Sequence, residues 1–500
     1  MSRVLERIES SWLGKASVFL IALAVRLLGI HSRPFHYDDV FSIFLAQRSL
    51  PEIIQGTAAD TMPPLYYFLL HYWVQISDTD WFIRLLSILL SLLAIGLLMN
   101  WVQEMSDSRT ALVAGFLAAI SPFHYYHAQD VRNYALLLSA QTAFLWFFVR
   151  LWKSQDQPFS RRAGDWIGLA LSGTVAMYTH NVAILGLAPA PLYLLFRRKW
   201  NFLLQVVVAF LLIAIFSVPW LAILPTQLAK IQYDWWLWRP GVVDWLQVPL
   251  VWVTGLPLTG IWLWIGALVA LETFVLVTWE FSRRHVAGEW TGFLWVVMLV
   301  IPVLFFTASY LFKPVFVPRG FILSSFAFLA MAAHGIVQRW QQGGGKIILA
   351  GFVLGALIGI PVQANFLDFP RAPFRQVAHE LAARITPGDL IVHENKLSYF
   401  PVKYYRPDLP QVFLADIPGS GNDTFARGSQ EAMQIFPQPD IQRAVQGARR
   451  VYFVVFQQAV EDYQRLGFGE HPVLVWLRSH AVEENRMNYR DLWVYVFRFP

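Results

Sequence analysis

Two carboxylates, Asp38 and Asp39, stand side by side in 'HYDDVFSIF' (36–44), just beyond an apolar run that ends near Ile30. Like charges this close raise one another's pKa, which makes one a better general base. Alternatively, one of them binds a divalent cation that takes up charge on a leaving group. A second polar group lies in 'SPFHYYHAQDVRNYALL' (121–137), which holds His124, His127, Gln129, Asp130, Arg132 and Tyr134. Asp130 and Tyr134 are spaced i,i+4, which predicts a shared helix face with Arg132 pointing elsewhere. A dipole-favoured acidic residue and an interfacial tyrosine are the plain alternative. His180 in 'MYTHNVAIL' (177–185) is either a hydrogen-bonded boundary residue or an acid–base group. In 'LFKPVFVPRGF' (311–321), Lys313 and Arg319 suit a phosphate, or Arg319 anchors a helix by snorkelling. 'QYDWWLWRPG' (232–241) offers Tyr233, Asp234, Trp235, Trp236 and Arg239 as a sugar-stacking surface or an interfacial belt.

The elements that must position these residues are apolar. Of the 500 residues, 56% are hydrophobic and 14% charged, against about 25% charged in soluble chains. Mean hydropathy is +0.45. A mainly α, polytopic membrane protein of about eleven spans follows, at 14–31, 81–102, 109–123, 133–151, 164–180, 182–197, 201–223, 257–280, 290–311, 319–339 and 346–365. Arg3, Arg7 and Lys15 precede the first run as in a signal peptide, but Arg26 interrupts it and no cleavage motif follows. A retained span with Arg26 turned inward is the better reading.

Basic clusters test this map. Arg3/Arg7/Lys15, Lys153/Arg161/Arg162, Arg197/Arg198/Lys199, Arg283/Arg284 and Arg339/Lys346 all fall in alternate gaps between spans. The positive-inside rule puts those gaps in the cytoplasm. The N-terminus is then cytoplasmic. The 32–80 loop, the 124–132 turn, the 179–181 corner, the 224–256 and 312–318 loops and the C-terminus lie outside. Within 32–80, the run after Pro63-Pro64 is too short to span and reads as an interfacial helix.

Residues 1–365 thus form a membrane domain and 366–500 a small extracytoplasmic α/β domain. In the latter, 'PFRQVAHELAARITPGDLIVHE' (373–394) reads as amphipathic helix, turn and strand. 'RRVYFVVF' and 'DLWVYVFRF' read as further strands. Net charge is +6 and there is no cysteine. No basic stretch is large enough for nucleic acid, and disulfides and thiolate metal sites are excluded. Walker-type, HExxH and GxSxG motifs are absent, so ATP-driven, zinc-protease and esterase chemistry have no support. A transporter or lipid flippase is the rival class. It would favour midplane charges and repeats, whereas these charges collect at one face and no repeat is visible.

The ordered set 'YDD', 'DTMPPLYY', 'RLLS', 'SPFHYYHAQDVRNYALL', 'YTHN' and 'PRGF' resembles glycosyltransferase family 39. This is the GT-C class of polyprenyl-phosphate-sugar-dependent transferases, which includes protein O-mannosyltransferases and aminoarabinose transferases. The resemblance spans about the first 365 residues. It implies transfer from a polyprenyl-phosphate-linked sugar to a hydroxyl of a lipid, glycan or protein acceptor on the outer face. It further implies inversion, no nucleic acid, and a divalent metal as the one optional cofactor. Asp38 and Asp39 match the family's acidic pair, and the order of residues favours Asp38 as base. Asp39 or Asp130 would orient it or hold the metal, with Tyr134 and His180 in support. Arg132, Lys313 and Arg319 would meet the donor phosphate, and Tyr233, Trp235, Trp236 and Arg239 the sugar or acceptor. Two departures stand out: Met62 replaces a histidine common before Pro-Pro, and Gly320 replaces a tyrosine common after the late arginine.

Overall fold

A computed structural model describes residues 12–233, 235, 237–283, 288–366, 371–416, 424–465, 467 and 469–500. The described residues fall into two compact units. One comprises residues up to Ile30, Thr61–Gln232 and Leu237–Phe366; the other comprises His31–Asp60, Tyr233–Trp236 and the chain from Leu367. Asp234, Trp236, Arg3, Arg7 and Arg284 lie outside the described residues, as does the side chain of Tyr233.

The first unit is helical. Every expected apolar run holds helix, from Trp12–Leu27 to Gly344–Asn365. Among the described residues, six helices are long and apolar enough to cross a membrane: Asp80–Met105, Tyr134–Lys153, Trp200–Leu221, Gly260–Arg283, Gly288–Leu311 and Gly344–Asn365. The expected span 182–197 is instead two short helices, Ala183–Leu187 and Pro189–Phe196, because Pro189 cannot continue the first. The 224–256 loop contains a helix, Val242–Val253, whose Val251, Trp252 and Val253 are buried.

Close helix contacts in this unit use missing side chains. Gly351, Gly355 and Gly359 repeat every four residues along Gly344–Asn365, so they share one stripe. A Cβ at each would meet Thr273 Oγ1 at 2.1 Å, Val253 O at 2.4 Å and Thr254 O at 1.9 Å. Such small-residue stripes let backbones approach where lipid offers no hydrophobic drive for association.

Arg26 is fully buried, as the inward-facing reading expects. Its guanidinium donates to Ser91 Oγ (2.9 Å) and to the carbonyls of Ala22 (3.2 Å), Ala119 (3.1 Å) and Ala118 (3.3 Å). The last two are end-turn carbonyls of the Ser108–Ile120 helix, which that helix cannot satisfy itself.

The second unit is α/β. Strands β1 (Asp389–His393), β2 (Gln411–Phe413), β3 (Arg450–Phe456), β4 (Val482–Tyr489) and β5 (Leu492–Arg498) lie in the order β2-β1-β3-β5-β4. β1 pairs parallel with β2 and β3, and β5 pairs antiparallel with β3 and β4. Val451, Phe453 and Val455 face one core and Tyr452 and Val454 the other. Being covered on both faces, β3 reads as an unbroken apolar run. β4 is mostly exposed and polar, so its sequence carried no strand signal.

The first-loop helices Tyr37–Ala46 and Leu50–Ala59 belong to this unit. Phe400, on the Lys396–Tyr405 helix, has its ring 5.1 Å from Tyr37, 6.5 Å from Phe41 and 5.6 Å from Phe44. The Tyr405 hydroxyl oxygen accepts the Phe35 N–H at 2.8 Å. Ser429 Oγ donates to Gly56 O at 2.9 Å. The Leu50–Ala59 helix therefore packs on Arg427–Met433.

His393 ends β1, fully buried, with Nδ1 3.0 Å from Ser398 Oγ. Burial pushes its pKa from 6.5 down to about 3. Unfolded, this histidine takes a proton near pH 6.5; folded, it stays neutral until far more acid conditions. Its contribution to stability is complete above that pH and is lost as pH falls towards 3. We expect His393→Asn to flatten the acid side of the stability profile, read as hydrogen exchange of β1 in the full chain at pH 7 and pH 5. An unchanged pH dependence would exclude His393 as its source.

Candidate active site

The first unit gathers most of the expected polar groups at one corner. Arg26 closes the end of Ser108–Ile120, and Ser121 opens a short helix, Pro122–Ala128. Ser121 Oγ accepts the His124 N–H at 3.4 Å, with Pro122 in the first turn. His124 Nε2 lies 3.0 Å from Ser325 Oγ on Ile322–Gln338. Gln129 Nε2 donates to the carbonyls of Arg26 (2.8 Å) and Leu28 (2.9 Å), and Arg84 donates to Gln129 O. His124 and Gln129 thus tie this corner to neighbouring segments.

Asp130 differs from its expected placement. The long helix begins only at Tyr134, and Asp130 sits in the bend before it. The two residues therefore do not share a helix face. The five residues between the two helices turn the chain. The Asp130 carboxylate instead meets His127 Nδ1 at 2.8 Å, both side chains being largely buried.

The Tyr134 ring is the centre of the corner. Its centroid lies 5.2 Å from His127 and 6.3 Å from His180, with the Arg319 guanidinium 5.7 Å away over its face. Arg132 and Arg319 are both close enough to His180 to act on it electrostatically. Burial, then Arg132, then Arg319 push its pKa well below the ordinary value. This environment favours the neutral ring of His180. A neutral ring can still donate or accept one hydrogen bond.

Polar ties hold three motif segments at this corner. Asn133 Nδ2 donates to Thr179 O (2.5 Å) and lies 3.6 Å from Met62 S. Asn181 Nδ2 donates to Thr61 O (2.7 Å) and Gln227 Oε1 (2.8 Å), and its Oδ1 accepts from Trp220 Nε1 (2.9 Å). Asn133 and Asn181 were not singled out from sequence; both stand inside motifs that were. Met62, which departs from the family's histidine, therefore packs as a thioether on Asn133. The second departure has a steric reason, since a Cβ on Gly320 would lie 2.6 Å from the buried Phe305 ring.

Other expected residues lie elsewhere. Lys313 donates to Gln232 O at 2.8 Å, and Arg239 stands exposed 6.0 Å from the Tyr310 ring. Trp235 is half-buried and is assigned to the second unit. That unit also carries the acidic pair, and it separates the two carboxylates. Asp39 is 3% exposed, and its Oδ2 accepts the His36 N–H at 3.2 Å, closing the start of the Tyr37–Ala46 helix. Asp38 is exposed, and only its backbone carbonyl is used, by Ser42 Oγ at 2.9 Å. Among the described residues, no group of three or more His, Asp or Glu is placed to hold a metal ion.

Residues 61–223 match the dolichyl-phosphate-mannose-protein mannosyltransferase family. That segment contains the corner apart from Arg319. No curated protein matches the chain. Among solved structures, ArnT from Cupriavidus metallidurans in the apo state is similar at a TM-score of 0.62 and 14% identity, over 97% of this chain and 96% of that one. The same protein bound to undecaprenyl phosphate gives 0.62 and 13%, over 97% and 98%. The chain has the GT-C fold. The Archaeoglobus fulgidus oligosaccharyltransferase tethered with an acceptor peptide is also similar, at 0.51 and 12%, over 98% of this chain and 74% of that one. The resemblance read from the motifs is thereby met in fold. With its six apolar helices, the chain is an integral membrane protein.

Because burial, and after it two guanidiniums, oppose its protonation, His180 is expected to stay neutral from pH 8 to pH 5. Histidine-selective NMR of the full chain should show a ring that does not titrate in this range. Arg132→Gln should raise its midpoint by removing one positive charge. A His180 signal titrating near 6.5 in the unsubstituted chain contradicts its buried placement beside the two arginines.

Proposed function

We propose that this protein is a membrane glycosyltransferase that moves a sugar from a polyprenyl-phosphate-linked donor to an acceptor hydroxyl on the extracytoplasmic face. The observation that carries the reading is the convergence of Arg132 and Arg319 on His180, with Arg319 over the Tyr134 ring, in a chain with the GT-C fold. A departing phosphate gains charge as its bond to the sugar breaks, and preformed cations there stabilise the transition state more than the ground state. A neutral His180 adds a hydrogen bond without repelling the two arginines. Two guanidiniums on separate chain segments, at 132 and 319, are less suited to passing a substrate through than to gripping one.

Asp38 is the base in this reading. Its carboxylate is exposed and carries no hydrogen bond that an accepting lone pair must first give up. Asp39 is committed to the helix start, so its role is to hold the first turn that carries Asp38. As the acceptor oxygen attacks the anomeric carbon, its proton passes to Asp38. The bond from that carbon to the phosphate oxygen breaks, and polyprenyl phosphate leaves with the electron pair. A single displacement inverts the anomeric centre. Lys313 remains a candidate for the donor phosphate, and the exposed Arg239 a candidate for the sugar or acceptor, as is Trp235. A cation shared by Asp39 or Asp130 would need its remaining ligands from substrate or water, and no step here is routed through one. The outward face rests on the basic clusters and the positive-inside rule.

The test is sugar transfer in detergent from a synthetic polyprenyl-phosphate sugar to an envelope lipid extract. Asp38→Asn is expected to lower kcat by roughly 10²–10⁴, the usual weight of a general base. Arg132→Gln and Arg319→Gln should each lower it by about 10²–10³. Unchanged turnover in Asp38→Asn would remove Asp38 from the mechanism. Failure of the unsubstituted chain to consume any such donor would overturn the enzyme reading.

A further inference from the structure

Lys396 is the least expected charge in the second unit. It is 2% exposed and occupies the first position of the Lys396–Tyr405 helix, whose N-cap is Asn395. A cation there opposes the helix dipole, and burying it adds a desolvation penalty. Its Nζ meets the Asp416 carboxylate at 3.0 Å. Asp416 Oδ2 also accepts the Phe425 N–H at 2.9 Å, which fixes the carboxylate in turn. Buried ion pairs of this kind are poor stabilisers, since an apolar pair of similar volume often serves as well. Stability is therefore a weak reason for a lysine at this point, and geometry is a better one.

The geometry leads to the acidic helix. Lys396 Nζ lies 5.8 Å from the centroid of the Tyr37 ring. The same ring meets Phe400, one helical turn along from Lys396, at 5.1 Å and 70°. Tyr37 is the first residue of the Tyr37–Ala46 helix and immediately precedes Asp38. A ring held on one side by a cation and on another by an aromatic edge has little freedom in χ1 and χ2. Its backbone is then restrained at the residue that sets the direction of the next side chain.

We propose that Lys396, clamped by Asp416, is a positioning residue that seats Tyr37 and through it aims the Asp38 carboxylate. The inference rests on the reading of Asp38 as the base. Lys396 touches neither donor nor acceptor in this role; it acts only through the first turn of the acidic helix. The α/β unit is thus a working part of the transferase.

The test uses the full chain in detergent and the transfer assay above, with thermal unfolding recorded for each variant. Lys396→Met keeps the length of the side chain and removes the charge. It should lower kcat about tenfold or more, since small misplacements of a reacting group have effects of this order, with KM for the donor unchanged. Lys396→Arg, which retains a cation for the ring, should recover most of the loss. Tyr37→Phe keeps the aromatic face and should behave as the unsubstituted chain, whereas Tyr37→Leu should fall as far as Lys396→Met. The double variant Lys396→Met/Tyr37→Leu should be no slower than either single one, because both break one connection. Full kcat in Lys396→Met, or additive losses in the double variant, overturns the inference and leaves the enzyme reading standing. A lowered unfolding temperature with unchanged kcat per folded molecule assigns Lys396 a structural role and overturns it too. Absence of transfer by the unsubstituted chain removes the reading and this inference together.

Discussion

The corner that gathers the polar residues depends on how one apolar helix is allowed to stop. Backbone carbonyls at the end of a helix in a membrane have no water to turn to. Here Arg26 supplies the donors, reaching Ala118 O and Ala119 O from a neighbouring helix. With those carbonyls satisfied, the chain can leave the helix at Ser121, make the short Pro122–Ala128 turn of helix, and present His127 and Asp130 in a bend. The carbonyl of Arg26 itself is used by Gln129, so the tie is reciprocal. One buried cation thereby fixes both the end of one element and the start of the next.

Much of this arrangement is legible in the chain because membrane helices announce themselves by length and hydropathy. The apolar runs and the inward Arg26 follow from that rule. Elements that escape it are those whose signal is weak for a physical reason. Val242–Val253 is short and contains Pro249, so it reads as loop although its last turn is buried. β4 lies at a sheet edge with its residues exposed, and 'VEENRMNY' has no apolar alternation to detect. Asp130 falls before the helix start rather than within it, since a bend of five residues leaves no mark in a sequence rich in polar and aromatic side chains.

The site shows a similar division. The residue types at 38, 39, 130, 132, 180 and 319 indicated phosphate and proton chemistry before any geometry was known. Their individual states were not readable. Sequence gives Asp38 and Asp39 the same standing; folding exposes one and closes a helix with the other. Likewise His180 resembles any boundary histidine until two arginines are found beside it. Lys396 and Asp416 are twenty residues apart and pair with a ring near position 37, a relation that no local pattern encodes.

The grouping of His31–Asp60 with the chain from Leu367 has a consequence for biogenesis. The acidic helix is translated among the earliest residues, whereas Phe400, Tyr405 and Lys396, which seat it, emerge hundreds of residues later. Domains form in order as the ribosome delivers them, so the membrane helices can insert while the acidic helix still lacks its support. A nascent chain would carry its carboxylates unaimed throughout insertion. Its support would be in place only once the segment holding Lys396, Phe400 and Tyr405 has emerged.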